Sequence, residues 1–216
     1  LLRVHDEVSR LHTSFVLGYH GCEKAVGEAV LSGDRSLNES NEDYDWLGPG
    51  VYFWESDPLR AWEWAEQKIL RKQGDGCNGG SAGTPFVIGA IIDLGNCLDL
   101  MTRADLELLA PAYEALKAAH DAAGNIAALP RNQKGEDKLL RFLDCAVIKR
   151  LHSAMQEAEE PPFETVRGLF TEGEALYPGS GFKAKTHVQV AVRSLGNIKG
   201  YFRVPCPPVS EASAMW

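Results

Sequence analysis

DYDWLGPGVYFWESDPLRA, residues 43–61, carries the reading of the fold. Five aromatic rings, Tyr44, Trp46, Tyr52, Phe53 and Trp54, crowd around a Gly-Pro-Gly bend in a chain that is only 9% aromatic. Gly48 and Gly50 let the backbone turn tightly and approach a neighbour closely. The run 50–54 predicts a strand on which Val51 and Tyr52 point to opposite faces, so that one ring can line a cleft while its neighbour packs in a core. Asp57 and Pro58 supply an N-cap and a preset first helical φ, so a helix starts there and carries Ala61, Trp62, Trp64 and Ala65.

Working outward, 15–19 predicts a short buried strand ending in the stretch Gly18-Tyr19-His20-Gly21-Cys22. A helix follows over 23–31, where Ala25, Val26, Ala29 and Val30 recur at helical spacing and Gly33 marks the stop. Residues 32–45 read as a polar loop and 74–83 as a glycine-rich connector, followed by a core strand over 86–94. Two long helical stretches, 102–124 and 136–159, are split by GNIAALPRNQKG. After Pro161-Pro162 come strands at 165–170, 186–193 and 198–204. On the second of these, Val188, Val190 and Val192 form an apolar face, while His187, Gln189, Ala191 and Arg193 form the other. Gln189 is thereby expected on the polar side of a half-buried strand, able to hydrogen-bond a ligand. Strands at both ends with helices between them predict an α+β domain over 1–216, with a helical insertion at about 102–160.

Composition narrows the function classes. The chain has 216 residues, 44% of them hydrophobic, which is enough for a full core, and no run approaches the roughly 20 apolar residues of a membrane span. Residues 1–20 carry charges where a signal peptide has an apolar block, so a soluble cytoplasmic protein is the expectation. Five cysteines without a C-x-x-C pair indicate reduced thiols, and six histidines without paired ligand spacing give no metal site. A net charge of -8 argues against a general nucleic-acid coat. Yet residues 175–210 contain no acidic residue and hold Lys183, Lys185, Arg193, Lys199 and Arg203, a local basicity that suits a phosphate-bearing ligand.

Three segments, taken in order, resemble the ADP-ribosyltransferase fold in its diphtheria-toxin and poly(ADP-ribose) polymerase branch, which is marked by a His-Tyr-Glu triad. GYHGCEKAVGEAVLSG resembles the first motif, WLGPGVYFWESDPLRA the second, and QVAVRSLGNIKGYF the final strand pair. The resemblance implies a split β-sheet core and NAD as co-substrate, with no metal. It implies that His20 bonds the adenosine-side ribose and that the Gly21 backbone holds the nicotinamide carboxamide. Tyr52 would stack on the nicotinamide ring, Trp62 or Trp64 would form a second wall, Cys22 would stand at a ribose-contacting hydroxyl position, and Gly50 would shape the turn. The helices of 102–160 fall outside the resemblance.

The main departure is Gln189, where the branch has its glutamate: it can accept a hydrogen bond but carries no charge and is no base. Three readings stay open. Gln189 orients the sugar while the acceptor brings its own nucleophilicity, which is preferred; Glu172 or Glu174 supplies the carboxylate; or the protein binds NAD or ADP-ribose without turnover, the glutamine being natural or an engineered change. Tyr177, Lys183 and Lys185 lie in the loop where the resemblance implies contact with a macromolecular acceptor, nucleic acid slightly favoured over protein. A role as a toxin or defence effector is permitted. The remaining rival is an unrelated scaffold whose aromatics are simply core.

Overall fold

The computed structural model describes residues 15–74, 83–124 and 129–205. The connector expected over 74–83 lies almost wholly outside them, as do Cys77, Cys206, His5, His12 and the end of the basic run. The chain order is β1 (Phe15–Glu23), α1 (Lys24–Leu31), β2 (Val51–Glu55), α2 (Pro58–Gly74), β3 (Pro85–Asp93) and β4 (Cys97–Asp99). Then follow α3 (Arg103–Leu106), α4 (Leu109–Ala122), β5 (Asn132–Gln133), β6 (Leu140–Arg141), α5 (Phe142–Glu157), β7 (Thr165–Phe170), β8 (His187–Val192) and β9 (Ile198–Arg203). The architecture is mixed α+β. Seven strands form one sheet in the order β4-β7-β8-β2-β1-β3-β9, antiparallel throughout except for the parallel pair β4 and β7. No helix among the described residues is long and apolar enough to cross a membrane.

Strand alternation sorts the core into layers. Val51, Phe53, Val190, Val192, Ile88 and Ile92 share one face, closed by Val30 of α1 and by Leu37. The other face is covered by two separate bodies. Helix α2 seats Ala61 against Trp54 and Val87, while α4 and α5 cover Val166, Phe170 and Ala191 together with Trp46 and Leu47. Between those bodies run the middle of β2 and the start of β8, and there the sheet is left open to a cavity.

The start of α2 forms as its sequence dictates: the Asp57 carboxylate caps the Arg60 backbone N–H at 2.9 Å. Gly21 has a packing reason of its own. A Cβ there would collide with the Ala61 carbonyl oxygen, so the missing side chain is what lets α2 lie flat on β1.

Four sequence expectations change. The stretch Gly18-Tyr19-His20-Gly21-Cys22 lies inside β1, because pairing with β3 carries that strand on to Glu23. The face of β8 that holds His187, Gln189 and Ala191 is not a solvent face: Ala191 is fully buried in the cluster under α4 and α5, and His187, on the cavity wall, is stacked on Phe170 and only 6% exposed. The insertion at about 102–160 is not purely helical, having a β5–β6 ladder at its middle. Its first stretch is broken into α3 and α4, with Thr102 capping α3.

Gly21→Ala should destabilise the fold by about 2–3 kcal/mol, an overpacking cost that lowers the melting temperature by roughly 5–10 °C. Thermal denaturation of the variant beside the wild-type protein measures it; an unchanged melting temperature would contradict the packing described.

Candidate functional site

β1 and β2 are registered only at Gly18–Glu55 and Tyr19–Trp54, although β1 continues to Glu23 and β2 reaches back to Val51. Where they part, the His20 ring steps in. Its Nδ1 lies 2.8 Å from the Tyr52 carbonyl oxygen, and because a carbonyl only accepts, Nδ1 carries the proton and Nε2 keeps its lone pair. The ring sits edge-on to Phe53 at 5.7 Å. Burial, assisted by the charge of Lys68, lowers the His20 pKa to about 4, so the ring is neutral at physiological pH.

A cavity of about 790 Å³ opens at this parting. Its wall brings together His20, Cys22, Tyr52, Trp64, Glu172 and Gln189, all singled out in the sequence. The wall also includes Trp46, Trp54, Arg60, Lys68 and His187.

The Tyr52 hydroxyl accepts from the Leu47 N–H at 3.1 Å and donates to the Gly48 carbonyl at 2.8 Å, so it closes the turn while its ring lines the cavity. Gly48 holds φ at +78°, and a Cβ there would meet Ile148 at 2.8 Å; both conditions call for glycine. Burial lifts the Tyr52 phenol well above its ordinary value.

Gln189 is engaged in a way the sequence did not disclose. Its Oε1 accepts from Trp46 Nε1 at 2.7 Å. Indole N–H donates only, so the amide orientation is fixed and Gln189 has its NH₂ left to offer a ligand. Gln189 can therefore present donors to a ligand as well as the second lone pair of Oε1. Trp46 is itself wedged: it packs edge-on to Phe170 at 5.2 Å, the Arg141 guanidinium lies 5.3 Å from its ring, and a Cβ on Gly168 would sit 2.6 Å from its Cη2.

Of the two carboxylates considered, Glu172 is on the cavity wall and Glu174 is an exposed residue outside it. Glu172 accepts from Arg60 Nη2 at 2.8 Å, while Arg60, 9% exposed, also reaches Glu63 at 3.3 Å. Trp64 tilts against Trp54 at 5.7 Å and carries the Lys68 ammonium 4.5 Å over its ring. Trp62 packs against the cluster of Trp54, Ala61 and Val87 and is not on the cavity wall. Gly21 and Gly50 do not line it either; Gly50 pairs with Ser40 and is pressed against the Val192 backbone.

Tyr177, Lys183 and Lys185 also lie off the wall, in a hairpin bridged at Ala175 and Lys183. Tyr177 is exposed at its tip, and Lys183 is tied to Asp137. Cys22 is on the wall, but burial pushes its thiol up to about 11, so at neutral pH it is no thiolate nucleophile. Among the described residues no group of three or more His, Cys, Asp or Glu side chains could hold a metal ion.

His187 could have been found by strand period, since it shares a face with Gln189 two residues on. The pairing of Arg60 with Glu172 across 112 residues, and of Trp46 with Gln189 across 143, has no local signal. Comparison with family models, with curated proteins and with solved structures returns no match.

His20 and His152 both have pKa values lowered to about 4, by burial in each case and by Arg193 as well for His152. A histidine whose folded pKa lies below its ordinary 6.5 stabilises the fold above pH 6.5 and loses that contribution as pH falls towards 4. The melting temperature should therefore drop by roughly 5–15 °C between pH 7 and pH 5. Calorimetry at the two pH values tests this, and a His152→Leu variant should show a smaller drop.

Proposed function

We infer that the chain is an NAD-dependent mono-ADP-ribosyltransferase, moving ADP-ribose from NAD to a macromolecular acceptor. The observation that carries this is convergence. His20, Tyr52 and Gln189, 169 residues apart at the extremes, stand on the neighbouring strands β1, β2 and β8 and on the wall of one cavity. About 790 Å³ is within the usual range for a site that encloses a small molecule or cofactor. The parting of β1 from β2, where the cavity opens, supports this reading.

The chemistry available suits the proposed ligand. The bare Nε2 of neutral His20 can accept from a ribose hydroxyl. The Tyr52 and Trp64 rings offer π-faces to the cationic nicotinamide. Gln189 donates an amide N–H to a hydroxyl oxygen of the nicotinamide ribose, which orients the sugar without supplying charge. Glu172, on the same wall and held by Arg60, offers a carboxylate. Binding of NAD without turnover is the second reading. It is favoured by one observation: Gln189 is uncharged and its oxygen already accepts from Trp46 Nε1.

Incubation with isotopically labelled NAD and a cell lysate, followed by mass spectrometry of the protein and nucleic-acid fractions, separates the two. Transfer gives free nicotinamide and label in one fraction; saturable binding with neither product leaves the binding module. Gln189→Ala removes the ribose donor and orphans Trp46 Nε1, and should cost at least about 10-fold in NAD affinity or turnover. Gln189→Glu keeps an acceptor for Trp46 and should retain binding.

A further inference from the structure

Three residues of the cavity wall, Trp54, Arg60 and His187, each carry a buried polar atom with no hydrogen-bond partner among the described residues, and the two on the neighbouring rings of Trp54 and His187 are unexplained by the reading above. His187, 6% exposed, directs Nδ1–H to the Lys185 carbonyl at 2.6 Å, which leaves Nε2 as a lone-pair acceptor. That Nε2 is buried and has no hydrogen-bond partner among the described residues. The same holds for the indole N–H of Trp54, a residue 4% exposed whose ring lies 6.3 Å from the imidazole. Buried polar groups are almost always partnered, so an orphan acceptor and an orphan donor on adjacent rings of two cavity-lining residues mark a place for a bound group. The imidazole is also held rigidly: it stacks on Phe170 at 5.5 Å with the planes 10° apart.

We propose that His187 is the general base of the transfer and that the acceptor nucleophile is a hydroxyl, whose proton goes to His187 Nε2 and whose oxygen takes a hydrogen bond from Trp54 Nε1. This rests on the NAD-dependent reading of the same cavity. A hydroxyl carries a donor and lone pairs on one atom, which is the complement of this pair. A carboxylate or phosphate oxygen would set lone pair against lone pair at Nε2. A guanidinium or ammonium would crowd the Arg60 cation, which flanks His187 from α2.

The step balances. The glycosidic bond between the ribose C1′ and the nicotinamide nitrogen breaks, its electron pair neutralising the ring. A bond forms from the hydroxyl oxygen to C1′, and the hydroxyl proton passes to Nε2 and then to water. His187 thereby supplies the proton acceptor that Gln189, two residues along the same strand face, cannot be. The charged groups around it are Arg60 of α2, Asp57 that caps that helix, and Glu172 before the hairpin. Burial and Arg60 together lower its pKa, so the base is in its neutral form at pH 7.

The test uses the full chain, labelled NAD and the lysate fraction that takes label with wild-type protein. His187→Asn keeps a donor for the Lys185 carbonyl and removes the base. Transfer should fall about 10²–10⁴-fold while NAD affinity measured by calorimetry stays within a few-fold. The wild-type rate should decline on the acid side with a midpoint below 6.5, and in the variant only a limb nearer 4, from His20, should remain.

The product of the wild-type protein gives an arm independent of the variant's folding. An acetal link to a hydroxyl survives neutral hydroxylamine, whereas an ester to a carboxylate does not, and nuclease or protease digestion tells a nucleic-acid hydroxyl from a Ser, Thr or Tyr one. Transfer by His187→Asn at the wild-type rate, or label on a carboxylate or guanidinium, overturns this assignment and leaves the NAD reading standing. Absence of NAD binding and nicotinamide release with wild-type protein overturns both.

Discussion

One hydrogen bond organises the site: His20 Nδ1 to the Tyr52 carbonyl oxygen at 2.8 Å. It forms where the ladder between β1 and β2 stops, so a side chain does what a backbone N–H does elsewhere in the sheet. Had the ladder continued, the two strands would lie flush and there would be no entry between them. Had it stopped with nothing in its place, a buried carbonyl would be orphaned at a cost of about 1–3 kcal/mol. The histidine keeps the strands apart and satisfied together, and the same bond fixes its tautomer, so the nitrogen left over is an acceptor.

The tryptophan bond to Gln189 works by the same logic on the other bank of the cleft. Trp46 belongs to the turn that Tyr52 closes, and its indole N–H spans to β8. The Gly-Pro-Gly bend therefore does more than place Tyr52: through Trp46 it sets which end of the Gln189 amide faces the cavity. A glutamate at 189 would have a second oxygen to spare after meeting Trp46, whereas a glutamine has an NH₂. A glutamine at 189 thus presents a donor where a glutamate would present a second, charged acceptor.

Much of this was legible in the chain, for identifiable reasons. Strands β2, β7, β8 and β9 are short β-branched or aromatic runs bounded by turn residues, and their expected spans hold to within a residue or two. β1 read too short because His20 and Gly21 interrupt the apolar pattern, while the ladder to β3 that extends it is a tertiary fact. The β5–β6 ladder was hidden because two-residue strands carry no periodicity. Within the site, His20, Tyr52 and Gln189 stood out because each lies in a short distinctive motif. Arg60 and Trp54 did not, since an arginine in a first helical turn and a tryptophan in an aromatic strand look ordinary until Glu172 and His187 are brought beside them.

The aromatic crowding over 43–61 then resolves into distinct physical jobs. Phe53 is fully buried on the α1 side of the sheet, and Tyr44 meets Phe142 at the edge of the helical body. Trp46, Tyr52 and Trp54 keep the opposite face, and each brings a polar atom as well as a ring. Two of those atoms are satisfied within the protein, and the third has no partner among the described residues. A core would have been better filled by phenylalanine or leucine, which have no N–H or O–H to desolvate. Amphipathic rings are worth their desolvation where one side is packed and the other meets polar partners, and that condition is met at a cleft wall. The strand is therefore aromatic for two reasons at once, volume towards the core and hydrogen-bonding capacity towards the cavity.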